Sequence, residues 1–156
     1  MRSREVVATL QADTWTMAER TTDLGLGIVR FRTPVLRAGQ VEGYGRVLRV
    51  LWPYAEEDSG AMPTSADSEA MGEFEDRLCA AVESDAHAYL AAVLTFDGAR
   101  QWVFYTDDVT ECGRRLEAMP QNEEPYPIEL DAFDDPEWQY LREEILGPFR
   151  ERSAGV

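Results

Sequence analysis

The stretch YLAAVLTFDGARQWVFYT, residues 89–106, decides the fold. Tyr89 to Phe96 and Gln101 to Thr106 are rich in β-branched and aromatic residues, and Asp97-Gly98 between them is a tight-turn signal. Two strands joined this way pair as an antiparallel hairpin. Helical periodicity stands on both sides of it. Upstream, Met71, Phe74, Leu78, Ala81 and Val82 make one apolar stripe, with Thr64 or Ser65 as the cap. Glu73 and Arg77 form an i,i+4 pair on its wet side. Downstream, Asp107 or Asp108 caps a helix with the stripe Val109, Cys112, Leu116 and Met119, which Pro120 stops.

One step further out lie two more strands, Arg46 to Trp52, closed by Pro53, and Pro127 to Phe133. The order from 46 to 133 is then β-α-β-β-α-β. The predicted fold class is α+β: one antiparallel sheet with helices packed mainly on one face, a ferredoxin-like split core plus N-terminal strands. Those strands are Trp15 to Arg20 and Leu26 to Thr33, where Ile28, Arg30 and Arg32 share one face and Val29 and Phe31 the other. In a split unit the first strand already has both neighbours. The N-terminal pair therefore either extends an edge or implies a different strand order. A third helix is expected after Asp135 and Pro136, burying Trp138, Leu141 and Ile145. Residues 1–12 read as a loose or edge segment, Ala55 to Ala66 as an acidic loop, and the tail after Gly147-Pro148 as frayed. The whole is expected to be a single domain, 1–156, with an ordered core of about 13–147 and about 70% of its unfolded surface buried.

Charge is unevenly spread. The first 54 residues hold eight arginines against five acids; the remaining 102 hold twenty-five acids against seven arginines, a net of −18. The chain as a whole carries −15 and no lysine. Such a body repels nucleic acid and anionic membrane and attracts basic partners. Arg30, Arg32, Arg46 and Arg49 with Phe31, Trp52 and Tyr54 have the ingredients of a single-strand nucleic-acid strip. The net field opposes that use, and a solvated face paired with the chain's own acids is favoured. No leader, membrane span or nucleic acid is expected. Cys79 and Cys112, far apart and without a histidine companion, read as two buried thiols in a reducing cytoplasm.

Catalytic signals are lacking. There is no P-loop, no G-x-S-x-G and no HExxH; Gly25-Leu26-Gly27 and Gly43-Tyr44-Gly45 are too short to cradle phosphate and read as turns leading into strands. His87, the single histidine, reads as a solvent-exposed loop residue. Asp131, Asp134, Asp135 and Glu137 suggest a divalent cation, but their spacing matches no EF-hand and suits helix capping. No metal and no cofactor is expected, and the chain reads as non-catalytic.

Several short pieces recur in order: Trp15, Trp52-Pro53-Tyr54, Met62-Pro63, Glu75-Asp76-Arg77-Leu78, Thr95 through Arg100 to Phe104-Tyr105, and Asp134-Asp135-Pro136-Glu137-Trp138. In these the chain, over roughly 14 to 146, resembles a bacterial family known as a domain of unknown function, DUF695. The resemblance implies no established activity and carries over no catalytic residue. It does direct attention to Trp15, Arg100, Tyr105, Asp135 and Trp138 as a candidate ligand or partner site. Arg100, Tyr105, Asp135 and Trp138 are expected to meet where the hairpin, the last strand and the third helix join. There they would form either an Arg–carboxylate lock under a tryptophan or a site for a small anion or peptide terminus. The reading of function is an acidic cytoplasmic interaction protein, monomer or homodimer, that binds a basic protein partner in a regulatory, inhibitory or immunity-like role. Its alternative is a small-molecule or anion-binding protein, or an enzyme, with a pocket around Arg100, Tyr105 and Trp138.

Overall fold

A computed structural model describes residues 3–22, 25–54, 63–96, 98–123 and 125–147. Asp97, most of the acidic loop after Tyr54, Met62 and the tail from Pro148 lie outside the described residues. The elements are α1 (Arg4–Ala12), β1 (Trp15–Thr22), β2 (Gly25–Arg32), β3 (Arg46–Pro53), α2 (Ser65–Glu83), β4 (Ala88–Phe96), β5 (Ala99–Thr106), α3 (Val109–Ala118), β6 (Glu129–Asp134) and a short π-helical α4 (Tyr140–Ile145).

The sheet has six strands in the order β1-β2-β4-β5-β3-β6, every neighbouring pair antiparallel. The N-terminal hairpin extends the edge beside β4 rather than competing for β3, which lies between β5 and β6. The six-strand order is thus not that of a simple four-stranded ferredoxin-like sheet. Gly98, at φ 85°, turns the β4–β5 hairpin, and Thr95 faces Arg100 across it. At Gly27 the chain needs a residue without a side chain, because a Cβ there would sit 2.4 Å from the Phe96 Cβ.

Helices cover both faces of the sheet, not mainly one. Leu48, Val50 and Trp52 of β3 and Trp102 and Phe104 of β5 pack with Met71, Phe74, Leu78 and Val82 of α2 and with Cys112 and Leu116 of α3. Val47, Val103 and Tyr105, one residue out of phase on the same strands, pack with Val6 of α1 and with Leu141 and Ile145 of α4. Strand alternation assigns each set to its own face. β4 is buried from Ala88 to Thr95 without a break because it is covered on both sides. Each large apolar side chain so buried contributes about 1.5–3 kcal/mol.

Residues 4–12, expected to be loose, form α1. Ser3 caps it by accepting from the Val6 N–H at 3.2 Å, and Val6 and Thr9 face the core. Val6 is fully buried, so this short helix is held by tertiary packing rather than by propensity. Thr64 caps α2 and Asp108 caps α3, each accepting from the N–H three residues on. The helix expected from Pro136 begins instead at Tyr140, because Trp138 takes a positive φ of 59°. Its i→i+5 geometry is seen in the Leu146 N–H to Leu141 O bond of 2.9 Å.

Ion pairs bind distant elements. Asp85, after α2, accepts both ends of the Arg115 guanidinium at 2.8 and 2.9 Å. Those bonds hold its carboxyl well below the usual range, and Arg114 and Arg115 hold Glu111 down to about 2. Asp13 is lowered by Arg32 first and then by the Trp15 N–H. Carboxylates depressed in the folded state stabilise it above their unfolded pKa of about 4, and that contribution is lost as pH falls through the folded values. Urea midpoints are therefore expected to be flat near neutrality and to fall once pH drops below about 4. Asp85→Asn should make that fall shallower while lowering the midpoint at pH 7. An acid limb unchanged by Asp85→Asn would show that the pair carries none of the effect.

Candidate functional site

Of the five residues singled out by sequence, three meet. The Tyr105 hydroxyl donates to Asp135 Oδ2 at 2.7 Å, and the Trp138 ring stacks on Tyr105 with centroids 4.1 Å apart. The Trp138 indole N–H donates to the Tyr44 carbonyl at 2.8 Å. Asp135 accepts twice more, from the Gln139 and Tyr140 N–H groups at 2.9 Å each, and so caps α4. Tyr105, Asp135 and Trp138 are all buried. Burial, and then the Asp135 bond, push the Tyr105 phenol up, so it stays protonated and remains a donor. This cluster joins β5, β6 and α4 with its polar atoms satisfied. It is a structural lock and presents no reactive group to solvent.

Arg100 and Trp15 lie elsewhere, contrary to the expectation that Arg100 joins the cluster. Five residues separate Arg100 from Tyr105 on one strand, an odd number. That spacing places them on opposite faces and about 17 Å apart. Arg100 shares its face with Thr95 and Trp102, as the register requires. Its Nε–H donates to Thr95 Oγ1 at 2.9 Å. No carboxylate among the described residues lies within ion-pairing distance of it. Desolvation lowers its pKa, Glu75 opposes that shift, and Arg30 adds to it. Beside it, Arg30 donates to Glu75 at 2.5 Å, and the Trp102 indole N–H donates to the same oxygen at 2.8 Å. Trp15 lies under both Arg30 and Arg32, 4.7 and 4.6 Å from their guanidinium carbons. A cleft of about 160 Å³ opens between Met17, Ile28, Arg30, Val93, Thr95 and Arg100.

The other arginines of the suspected basic strip are internally neutralised. Arg32, 5% exposed, pairs with Glu83 and Asp13 at 2.8 Å each. Arg46 pairs with Asp134 at 2.9 Å, and Arg49 with Asp131. The same pairs take Asp131 and Asp134 out of any cation site, and Asp135 is committed to its cap. Among the described residues no group of three or more His, Cys, Asp or Glu side chains is placed to hold a metal. His87 is buried, not solvent-exposed: its Nε2 lies 3.2 Å from the Asp108 carbonyl and its own carbonyl accepts from Thr106. Cys79 and Cys112 are free thiols; Cys112 is buried as expected, whereas Cys79 is only partly buried. No described helix is long and apolar enough to cross a membrane.

Two residues of this geometry, Thr95 and Glu75, stand in the family-like pieces of the sequence but are not singled out there as site residues. Thr95 could have been found, because a two-residue Asp97-Gly98 turn sets Thr95 opposite Arg100. Glu75 carried no such signal, since its partner Arg30 lies forty-five residues away. No curated protein and no solved structure matches the chain. A sequence model of one family matches residues 13–144, from two residues before β1 to the penultimate residue of α4. By that match the chain belongs to DUF695, a family of unknown function.

Proposed function

We propose that the chain is a non-catalytic cytoplasmic interaction protein whose acidic surface binds a basic protein partner, in a regulatory, inhibitory or immunity-like role. The observation that carries this reading is the run of carboxylates from β6 through α4. Glu129, Asp131, Asp134, Glu137, Glu143 and Glu144 are all exposed. Asp131 and Asp134 pair with arginines, and the other four have no ion-pair partner among the described residues. β6 is also a sheet edge with Leu130 47% exposed, so an apolar contact stands inside the acidic field. Like charges kept unpaired on one edge destabilise the monomer slightly and gain a return only when a cationic surface meets them. The free thiols agree with a reducing compartment. We further infer that β4-β5-β3-β6 with α2 and α3 is a ferredoxin-like split unit widened by the N-terminal hairpin. Its strand order and antiparallel pairing support that reading.

The test is binding under varied salt. Proteins retained on the immobilised chain are purified and re-bound singly. The partner is expected to be basic, and its affinity to fall steeply as salt rises from about 0.05 to 0.3 M, where the Debye length shortens. Replacing Glu129, Glu137, Glu143 and Glu144 with glutamine together should weaken binding at least about tenfold, mainly through the on-rate. Partners that are neutral or acidic, bound equally at all salts, overturn the proposal.

A further inference from the structure

We infer that the cleft between β1, β2, β4 and β5 is a binding site for a small carboxylate, with Arg100 as the group that recognises it. This goes beyond the acidic surface and does not rest on it: the cleft is on the α2–α3 face toward the β1 edge, whereas the carboxylate run lies along β6 and α4 at the opposite edge. A half-buried guanidinium is ordinarily paired, and Arg30 and Arg32 on the same face are. Arg32 has Glu83 and Asp13, and Arg30 has Glu75. Arg100 alone has only a neutral hydroxyl, on its Nε, which leaves the two outer nitrogens of the fork without a partner among the described residues. Those two N–H edges match the two oxygens of a carboxylate. Burial already disfavours the lone charge, so an entering anion recovers part of that desolvation penalty.

The surroundings narrow the ligand. Arg30 and Arg100 contribute two positive charges and Glu75 one negative, a local net of +1 that suits a monoanion better than a phosphate dianion. Ile28, Val93 and Met17 supply an apolar wall, and Met17, 64% exposed, forms the mouth. A volume of about 160 Å³ holds about five waters at ~30 Å³ each, or a carboxylate with a short aliphatic tail. Thr95 is itself buried, and its bond to Nε sets the plane of the fork. Glu75 is held by both Arg30 and Trp102, so it is not free to swing across and neutralise Arg100. A free short-chain acid and the C-terminal carboxylate of a peptide offer the same chemistry.

The probes are sodium acetate, sodium butyrate, a short peptide with a free C-terminus, its amidated form, and inorganic phosphate. Binding is read by NMR on the Arg100 Nε–H and the neighbouring backbone amides. Saturable shifts centred on Arg100 are expected with butyrate, with a dissociation constant on the order of 1 mM. Acetate should bind more weakly, for want of the apolar contact. Saturation by the free peptide but not by its amide would assign the carboxylate to a chain end; saturation by butyrate alone would assign it to a small acid. Arg100→Leu should abolish the shifts and Arg100→Lys should weaken binding about tenfold, since it keeps charge but loses the fork. Arg100→Leu removes a desolvated charge without creating another, so it should stay folded; amide spectra and melting curves of both variants check this. No saturation by any carboxylate, tighter binding of phosphate, or binding unchanged in folded Arg100→Leu overturns the inference.

Discussion

Trp138→Ala is expected to lower the unfolding free energy by about 3–5 kcal/mol, the range for deleting a fully buried large aromatic side chain. The indole stacks on Tyr105, tilts against Tyr89 at 5.3 Å, and occupies the Tyr44 carbonyl. Removing it opens a cavity at the meeting point of β4, β5 and α4 and leaves a buried carbonyl without its donor. Little relaxation is available, because Asp135 holds both Tyr105 and the first N–H groups of α4. Trp138→Phe keeps one aromatic ring but loses the N–H and part of the indole's volume, and a smaller cost of about 1–3 kcal/mol is expected from the lost hydrogen bond and the small cavity. Urea denaturation with a common slope measures both. A loss below about 1 kcal/mol for Trp138→Ala would mean that the cluster does not hold α4 to the sheet.

The second large effect is expected at Arg32. Its guanidinium joins three elements. It donates to Glu83 at the end of α2, to Asp13 between α1 and β1, and to the Leu90 carbonyl of β4 at 3.2 Å. It also lies over Trp15 and over Tyr89, 5.4 Å from the Tyr89 ring. Arg32→Met should destabilise by about 3–5 kcal/mol, chiefly because Glu83 would remain as a largely buried carboxylate without its cation. Asp13 is mostly exposed, and its pair with Arg32 adds little. Glu83 also accepts from the Leu90 N–H at 2.8 Å, so Glu83→Gln keeps one bond and should cost less. In the double variant the losses should fall short of additivity by about 0.5–3 kcal/mol. Strict additivity would show that the two charges do not stabilise one another. Arg32 Nε is buried and lacks a hydrogen-bond partner among the described residues.

Arg32 also shows why the acidic and basic halves of the sequence are misleading when read apart. The excess of arginine before Tyr54 looks like a basic surface, yet Arg30, Arg32, Arg46 and Arg49 are neutralised by Glu75, Glu83, Asp134 and Asp131 from the acidic half. Exposed acids outside these pairs include Glu69, Asp76, Asp107 and Glu117 as well as those of β6 and α4. Arg100 is the exception on its face among the described residues, its Nε–H bonded to the Thr95 hydroxyl and not to a carboxylate.

Elements were legible because their signals are local. The caps at Thr64 and Asp108, the stripes of α2 and α3, the Gly98 turn and the alternation of β2 each lie within a few residues of what they determine. Membership of Tyr105, Asp135 and Trp138 in one cluster was legible too, from their family-like placement. The separation of Arg100 from them was also open to inspection, since an odd spacing on one strand means opposite faces. The unbroken run from Ala88 to Leu94, without a charged or strongly polar residue, likewise signalled a strand covered on both sides, although an antiparallel hairpin suggested one wet face.

The sequence by itself determined the strands, the two long helices, the two candidates for each of their caps and the acidic balance, because turn chemistry and side-chain periodicity act over one or two turns of chain. Only the tertiary structure decided the rest. It put α1 and α4 on the second face, set the N-terminal hairpin beside β4, buried His87, started α4 after the turned backbone of Trp138, and placed no carboxylate among the described residues within pairing distance of Arg100. Each of these depends on segments tens of residues apart meeting, and the burial and pairing that favour such contacts exist only once the sheet has assembled.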